Sequence, residues 1–423
     1  VENDDPPGFD WNWRSVGEYL DRLDRGIAVN AAYLVPQGSV RMLAVGWADR
    51  PATGPELDAM RTLLATGLAE GAAGMSAGLT YTPGMYADTA ELVELCRVVA
   101  SHGGFFSPHH RSYGAGALEA FAEMVGVSRD SGCPLHLAHA TMNFSVNAGR
   151  APDLLRLLDD ALDEGCDISL DTYPYLPGAT YLSALLPSWA TEGGLTDTLT
   201  RLSDVDTRER IRAEIEDTGS DGAHGVPIDW AGIEINGVRD QSRAHLVGRS
   251  VAESAREAGT TPAELYFDVL IAERLGTSCL MHVGHEDNVR AIMRHRTHTG
   301  GSDGLLVGDR PHPRAWGTFP RYLGHYVREL GVLELADCVA HLTGRAARRL
   351  RLADRGLVRE GYAADLVLFD PATIADRASF EEPRQAAAGI EQVFVNGVAT
   401  IDEGRPTGSL PGHSLRNPGR GRP

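Results

Sequence analysis

The stretch Gly300 to Arg321, GGSDGLLVGDRPHPRAWGTFPR, sets an acid among glycines and an arginine among prolines. Gly300, Gly301 and Gly304 bracket Ser302 and Asp303, just past a run from Asn288 to His295 that reads as helix. A carboxylate in such a turn fits the carboxyl end of a barrel strand, where the backbone reverses tightly and the side chain faces a pocket. Arg314 lies in a loop stiffened by Pro311, Pro313 and Pro320. A fixed carboxylate and a fixed guanidinium suit a proton-shuttling acid/base and an anchor for an anionic substrate. The plainer reading is an Asp in a glycine turn and an Arg in a surface ion pair.

Two histidines change that balance. His109 and His139 each end an expected strand, one from Gly103 and the other in Pro134 to His139, and they lie one strand–helix repeat apart. On neighbouring barrel strands they point into the same mouth. Two neutral imidazoles with the Asp303 carboxylate make a first-row metal site, with zinc favoured by softness and geometry, as one or two ions. Arg111, two residues after His109, shares its strand face and is a candidate partner for an acid or a substrate. Tyr173, in Tyr173-Pro174-Tyr175, is a candidate hydrogen-bond donor to an oxyanion, or else a buried aromatic. His110 and His136 alternate to the other strand face, and His298 shows no comparable register. Neither a Gly-x-Ser-x-Gly elbow nor a glycine-rich phosphate loop is present.

The elements that would position these groups alternate as strand, loop and helix about every 30 residues, the mark of a parallel α/β barrel. That barrel is expected over residues 1–355, interrupted by an insertion at about 190–260 that could act as a lid. Ser278 to Val283 reads as the strand on which the barrel resumes. Residues 356–410 change to short alternating strands with an Asn396-Gly397 hairpin turn, the look of a small β domain. Residues 411–423 read as a loose tail. The chain opens on Val1 and a polar, proline-containing lead-in, which fits either an unusual start codon read literally or a piece of a longer protein.

The balance of 39 basic against 58 acidic residues gives a net charge of −19, which argues against nucleic acid as a partner. No apolar run reaches the roughly 18 residues of a membrane span. Five scattered cysteines without a Cys-x-x-Cys pattern fit a reduced, cytoplasmic setting.

Several segments together resemble the N-acyl-D-amino-acid deacylases (D-aminoacylases) of the amidohydrolase superfamily. They are Gly71 to Thr89, the His109-His110-Arg111 strand end, Leu137 to His139, Asp171 to Pro174, Gly301 to Gly304, His312 to Arg321, and Asp354 to Pro383. The resemblance implies a metal-dependent (β/α)8 barrel, here without its first strands, with the C-terminal portion of a small β-sandwich. It implies His109 and His139 as metal ligands, Asp303 as metal-associated acid/base, and Arg314 and Tyr173 as holders of a small N-acyl amino acid substrate. The family's opening His-x-His pair and bridging Cys have no counterpart in these residues. Thr141 stands where the family commonly has Lys, and Ala179 where it has Ser, so the substrate contacts there are expected to differ. A dihydropyrimidine-like amide, or a non-catalytic role, is the alternative these departures leave open.

Overall fold

The computed structural model describes residues 10–306 and 308–417; the expected lead-in and the last six residues of the expected tail lie outside them. Its strands are β1 (Leu34–Pro36), β2 (Gly74–Gly78), β3 (Phe105–His109), β4 (Leu135–Leu137), β5 (Ile168–Thr172), β6 (Gly178–Tyr181), β7 (Ile233–Gly237), β8 (Arg249–Ser250), β9 (Ser278–Met281), β10 (His298–Gly300), β11 (Leu366–Phe369), β12 (Ile390–Val395), β13 (Val398–Asp402) and β14 (Arg405–Pro406). Six of them pair in parallel in the order β1-β2-β3-β4-β5-β10 and form the barrel wall.

Helices Gly54–Ala69, Thr89–Ser101, Ala117–Ser131 and Ala151–Asp163 return the chain between β1 and β5. Their starts are written in the sequence. Thr53 and Glu56 form a capping box with proline in the first turn, and the Asp88 carboxylate accepts the amide hydrogen of Glu91 at 2.8 Å. Met75, Leu135, Leu137 and Leu170 meet Leu92, Leu95, Phe121, Leu154 and Leu158 in one fully buried cluster between strands and helices. Each such side chain contributes about 1.5–3 kcal/mol by leaving water. Leu137→Ala, which would also leave a cavity directly behind the histidine strands, would cost about 2–5 kcal/mol. Close strand spacing demands small residues at one point: a Cβ on Gly74 would fall 2.0 Å from the Phe105 carbonyl oxygen.

Between β5 and β10 the chain leaves the barrel and builds a second sheet, in the order β6-β9-β7-β8, with its own core of Leu182, Leu185, Ile211, Ile235, Phe267 and Met281. This excursion is wider than the sequence reading of 190–260. Ser278–Met281 is not a resumed barrel strand; it pairs antiparallel with both β6 and β7. Local pattern does not reveal that pairing, because it joins segments about 45 and 100 residues apart. The chain rejoins the parallel row only at β10, against β5. Strands β11 to β14 form an antiparallel meander.

The tail reading is corrected over residues 411–417. Gly412 pairs by backbone hydrogen bonds with Ile27, the Ser414 amide donates to Asp24 at 2.7 Å, and Arg416 is ion-paired to Asp24 at 3.0 Å. No helix among the described residues is long and apolar enough to cross a membrane.

Candidate active site

His109 closes β3 and His139 stands two residues beyond β4, so adjacent parallel strands deliver both imidazoles to the carboxyl end of the barrel wall. His109 Nδ1 lies 3.2 Å from His139 Nε2. The outward nitrogens are held by hydroxyls: His109 Nε2 is 2.7 Å from Thr80 Oγ1, and His139 Nδ1 is 2.8 Å from the Tyr113 hydroxyl. Both hydroxyl oxygens can accept a hydrogen bond, so the surroundings accommodate the tautomers a metal would require, with ring protons outward and both inward lone pairs toward one point. Burial, reinforced by the neighbouring His139, holds the His109 imidazole well below its ordinary pKa and therefore neutral near pH 7.

The backbone under His139 is fixed from behind. His139 has φ of 34°, in the left-handed region, and its amide donates to Asp171 Oδ1 at 2.7 Å. Asp171 Oδ2 meets His136 Nε2 at 2.8 Å, and His136 Nδ1 meets Ser169 Oγ at 2.7 Å. Burial pushes the Asp171 carboxyl up, but the bonds from His136 and the His139 amide outweigh it and hold it below the usual carboxylate range. His136 thus supports the site from beneath. Gly301 lets the β10 loop approach: a Cβ there would lie 2.6 Å from the Asp171 carboxylate.

The loop after β10 supplies the charged groups. Asp303 has φ of 47°, and its Oδ2 lies 2.7 Å from Arg314 Nη2. Arg314 opens the helix Arg314–Arg321, with its amide donating to His312 Nδ1 at 3.0 Å while His312 Nε2 donates to the Pro177 carbonyl at 2.9 Å. The Arg314 side chain is only 2% exposed, yet Nε and Nη1 have no protein partner. Its guanidinium lies over the Tyr173 ring at 4.5 Å. Burial raises the Tyr173 phenol, the Arg314 charge draws it back, and the balance is about 12, so the hydroxyl keeps its proton near neutrality.

His109, His139, Asp303, Arg314, Tyr173 and Thr141 line a single cavity of about 430 Å³, within the ~300–1,000 Å³ range of small-molecule sites. Arg111 is not brought there. β3 ends at His109, so strand alternation no longer governs two residues on. The Arg111 guanidinium binds Glu123 at 2.8 Å and the Met85 carbonyl at 2.9 Å. Three further lining groups escaped the sequence reading: Thr80, Tyr113 and His224. His224 comes from the excursion, where burial lowers its pKa to about 4. Ala179 also lines the cavity, and the hydroxyl of the adjacent Thr180 is engaged with Tyr81 at 2.9 Å.

The histidine pair fits a metal. Bonds of ~2.0–2.1 Å in a tetrahedral site set ligating nitrogens roughly 3.3 Å apart, close to the observed spacing, and both outer nitrogens carry the supporting bonds that ligating imidazoles need. Asp303 does not complete a triad with them. Among the described residues, no three His, Cys, Asp or Glu side chains converge as a metal-holding group.

A model of an amidohydrolase family matches residues 7–401. The D-aminoacylase of Alcaligenes xylosoxydans xylosoxydans is 34% identical over 409 residues, which cover 96% of this chain and 75% of that protein. A solved D-aminoacylase, studied for the functional role of its binuclear metal centre, superposes with a TM-score of 0.81 at 32% identity, over 99% of this chain and 80% of that one. The N-acyl-D-glutamate deacylase of Bordetella bronchiseptica, complexed with zinc and a phosphonate mimic of the tetrahedral intermediate, superposes with a TM-score of 0.80 at 31% identity. That match covers 95% of this chain and 75% of that one.

Proposed function

We propose, for a chain that belongs to the amidohydrolase family, that it is a hydrolase cleaving the amide bond of N-acyl-D-amino acids to a carboxylate and a free D-amino acid. Its fold is that of the amidohydrolase barrel, six of whose parallel strands lie among the described residues, with a small β domain. The observation that carries the substrate reading is Arg314: a buried guanidinium with two unfilled donors, in the same cavity as the His109–His139 imidazole pair. Asp303 already faces Nη2 at 2.7 Å, and the two buried donors left without a partner favour a further anion, which the α-carboxylate of an N-acyl amino acid supplies close to the scissile amide.

His109 and His139 would hold zinc, which when bound supplies Lewis acidity that activates water and polarises the amide carbonyl. Around it the protein's own groups act in order. Arg314 grips the α-carboxylate and so sets the position of the amide. Asp303 takes the proton of the attacking water and returns it to the departing nitrogen. Tyr173, still protonated, donates to the oxyanion as the carbonyl becomes tetrahedral. Thr141, uncharged, leaves carboxylate binding to Arg314. A cyclic amide without a carboxylate would leave Arg314 unsatisfied, and no observation favours it.

The test is steady-state hydrolysis of N-acetyl-D- and N-acetyl-L-amino acids by the zinc-loaded chain, alongside Arg314→Ala. D-selective turnover is expected, and the variant should lose ~100-fold or more in kcat/KM, the usual cost of truncating one partner of a buried charge pair. Turnover indifferent to Arg314, or equal on amides lacking a carboxylate, would refute the assignment.

A further inference from the structure

On the zinc-holding role proposed for His109 and His139, we infer that Arg111 is a positioning residue of the metal site: with Glu123 it clamps the loop 79–88, which braces His109 from outside. The Leu79 amide donates to the His109 carbonyl at 2.9 Å, Thr80 Oγ1 lies 2.7 Å from His109 Nε2, and the Tyr81 ring stands 5.1 Å from the imidazole. An imidazole that ligates through one nitrogen depends on the group at its other nitrogen for tautomer and angle. The place of Thr80 therefore sets the aim of His109 Nδ1.

Thr80 must itself be held. From β2 to the helix Thr89–Ser101 the regular structure is one short 3-10 turn, Gly84–Tyr86, so side chains fix the path of the loop. Toward the second sheet, the Tyr81 hydroxyl lies 2.9 Å from Thr180 Oγ1, and the Tyr86 hydroxyl donates to the Ser188 carbonyl at 2.7 Å. On the barrel side the fastener is Arg111. Its Nη1 donates to the Met85 carbonyl at 2.9 Å, its Nη2 to the Ala87 carbonyl, and its Nε to Glu123 at 2.8 Å. The Thr89 hydroxyl donates to Glu123 at 2.8 Å and steadies it. A planar guanidinium reaches two carbonyls and a carboxylate at once, a fork that an ammonium on a flexible stem cannot hold. The contacts close a ring: from His109 to Thr80, along the loop to Met85 and Ala87, across to Arg111, and back two residues to His109. Arg111 stands outside the cavity, so it acts through this ring and not on the substrate.

The experiment is a double-variant cycle on zinc affinity, measured by competition with a chelator, with denaturant unfolding on the same samples. Thr80→Val should weaken zinc binding ~10–100-fold, and Arg111→Lys, which keeps the charge beside Glu123 but gives up the fork, ~10-fold. Combined, the two losses should not multiply: the double variant should match Thr80→Val within ~2-fold, because the clamp acts through Thr80. A merely structural Arg111 would lower stability and leave zinc affinity per folded molecule where it was. Should Arg111→Lys not fold, Glu123→Gln loosens the same clamp and should weaken zinc binding by a smaller factor. Unchanged zinc affinity in the folded clamp variants, or losses that multiply in the double variant, overturns the inference and leaves the zinc-holding role standing. A chain that binds no zinc at all overturns both.

Discussion

The molecule contains two pairs of touching imidazoles, and they are built for different ends. In the pair His109–His139, the facing nitrogens are 3.2 Å apart, and each outer nitrogen has a hydroxyl that can accept its proton. In the pair His298–His341, Nδ1 faces Nδ1 at 2.9 Å, and His341 Nε2 accepts from the Arg345 guanidinium at 2.6 Å. Arg345 cannot give up its charge, so His341 must carry its proton on Nδ1 and donate it to His298. The second pair has thus spent its lone pairs on a chain of hydrogen bonds, and both rings are buried, His298 completely. The first pair opens to a cavity, and its outer hydroxyls leave it able to turn both inward lone pairs toward a metal. On the proposed zinc-holding role of His109 and His139, what separates a ligand pair from a structural one is the group behind each ring, a neutral hydroxyl in one case and a guanidinium in the other. Ring spacing and burial alone do not distinguish them.

The sharpest way to break this comparison is to truncate each pair in turn. His109→Ala or His139→Ala should abolish stoichiometric zinc binding and reduce turnover by ~10³-fold or more, since several kcal/mol of transition-state stabilisation depend on the ion. His341→Ala should retain zinc and turnover per folded molecule but lose about 2–4 kcal/mol of stability through a buried cavity and an orphaned His298. Metal analysis with denaturant unfolding on the same samples separates the two outcomes. Zinc loss in His341→Ala without destabilisation would erase the distinction.

A gentler change sharpens it. Tyr113→Phe removes only the hydroxyl behind His139 and leaves the ring stack intact. Zinc affinity should fall ~10–100-fold, the usual cost of losing a bond to a ligating imidazole, while kcat at saturating zinc changes far less. Competition with a chelator measures the affinity, and an unchanged value would mean that the hydroxyl does not orient the ring.

Much of this site was legible because its residues fall at places fixed by barrel geometry. His109 ends β3, His139 lies two residues past β4, and Asp303 and Arg314 follow β10 in a glycine- and proline-bounded stretch, so position along the chain pointed to them. Arg111 shows where that logic stops: alternation holds only while the strand lasts, and β3 ends at His109. Tyr113, Thr80 and His224 reach the cavity from loops, whose side-chain directions have no period to read. Met281, which lines the same cavity, was hidden for a related reason. Met281 is ordinary core by composition, and it becomes a cavity wall only because β9 pairs with β6 and β7 across a long stretch of sequence. The barrel signal was local; the second sheet is a product of non-local pairing.

The structural pair also has a signature in acid, smaller than any effect above. Burial lowers His341 to about 4, and it holds His298 well below its ordinary value. In the unfolded chain both imidazoles return to ~6.5. Below that pH the unfolded state binds protons that the folded state refuses, so stability falls as pH drops from 6.5, and the His341 contribution levels off near 4. Above pH 6.5 that stability is fully present. Thermal unfolding of the metal-free chain between pH 7 and 4 should therefore show a declining Tm, with a shallower decline in His341→Gln. Working without metal is essential, because any loss of bound zinc in acid would otherwise add the ligand pair's response to that of the structural pair. An unchanged slope in His341→Gln would mean that His341 is not held neutral by the fold, and the contrast between the two pairs would then rest on access to the cavity alone.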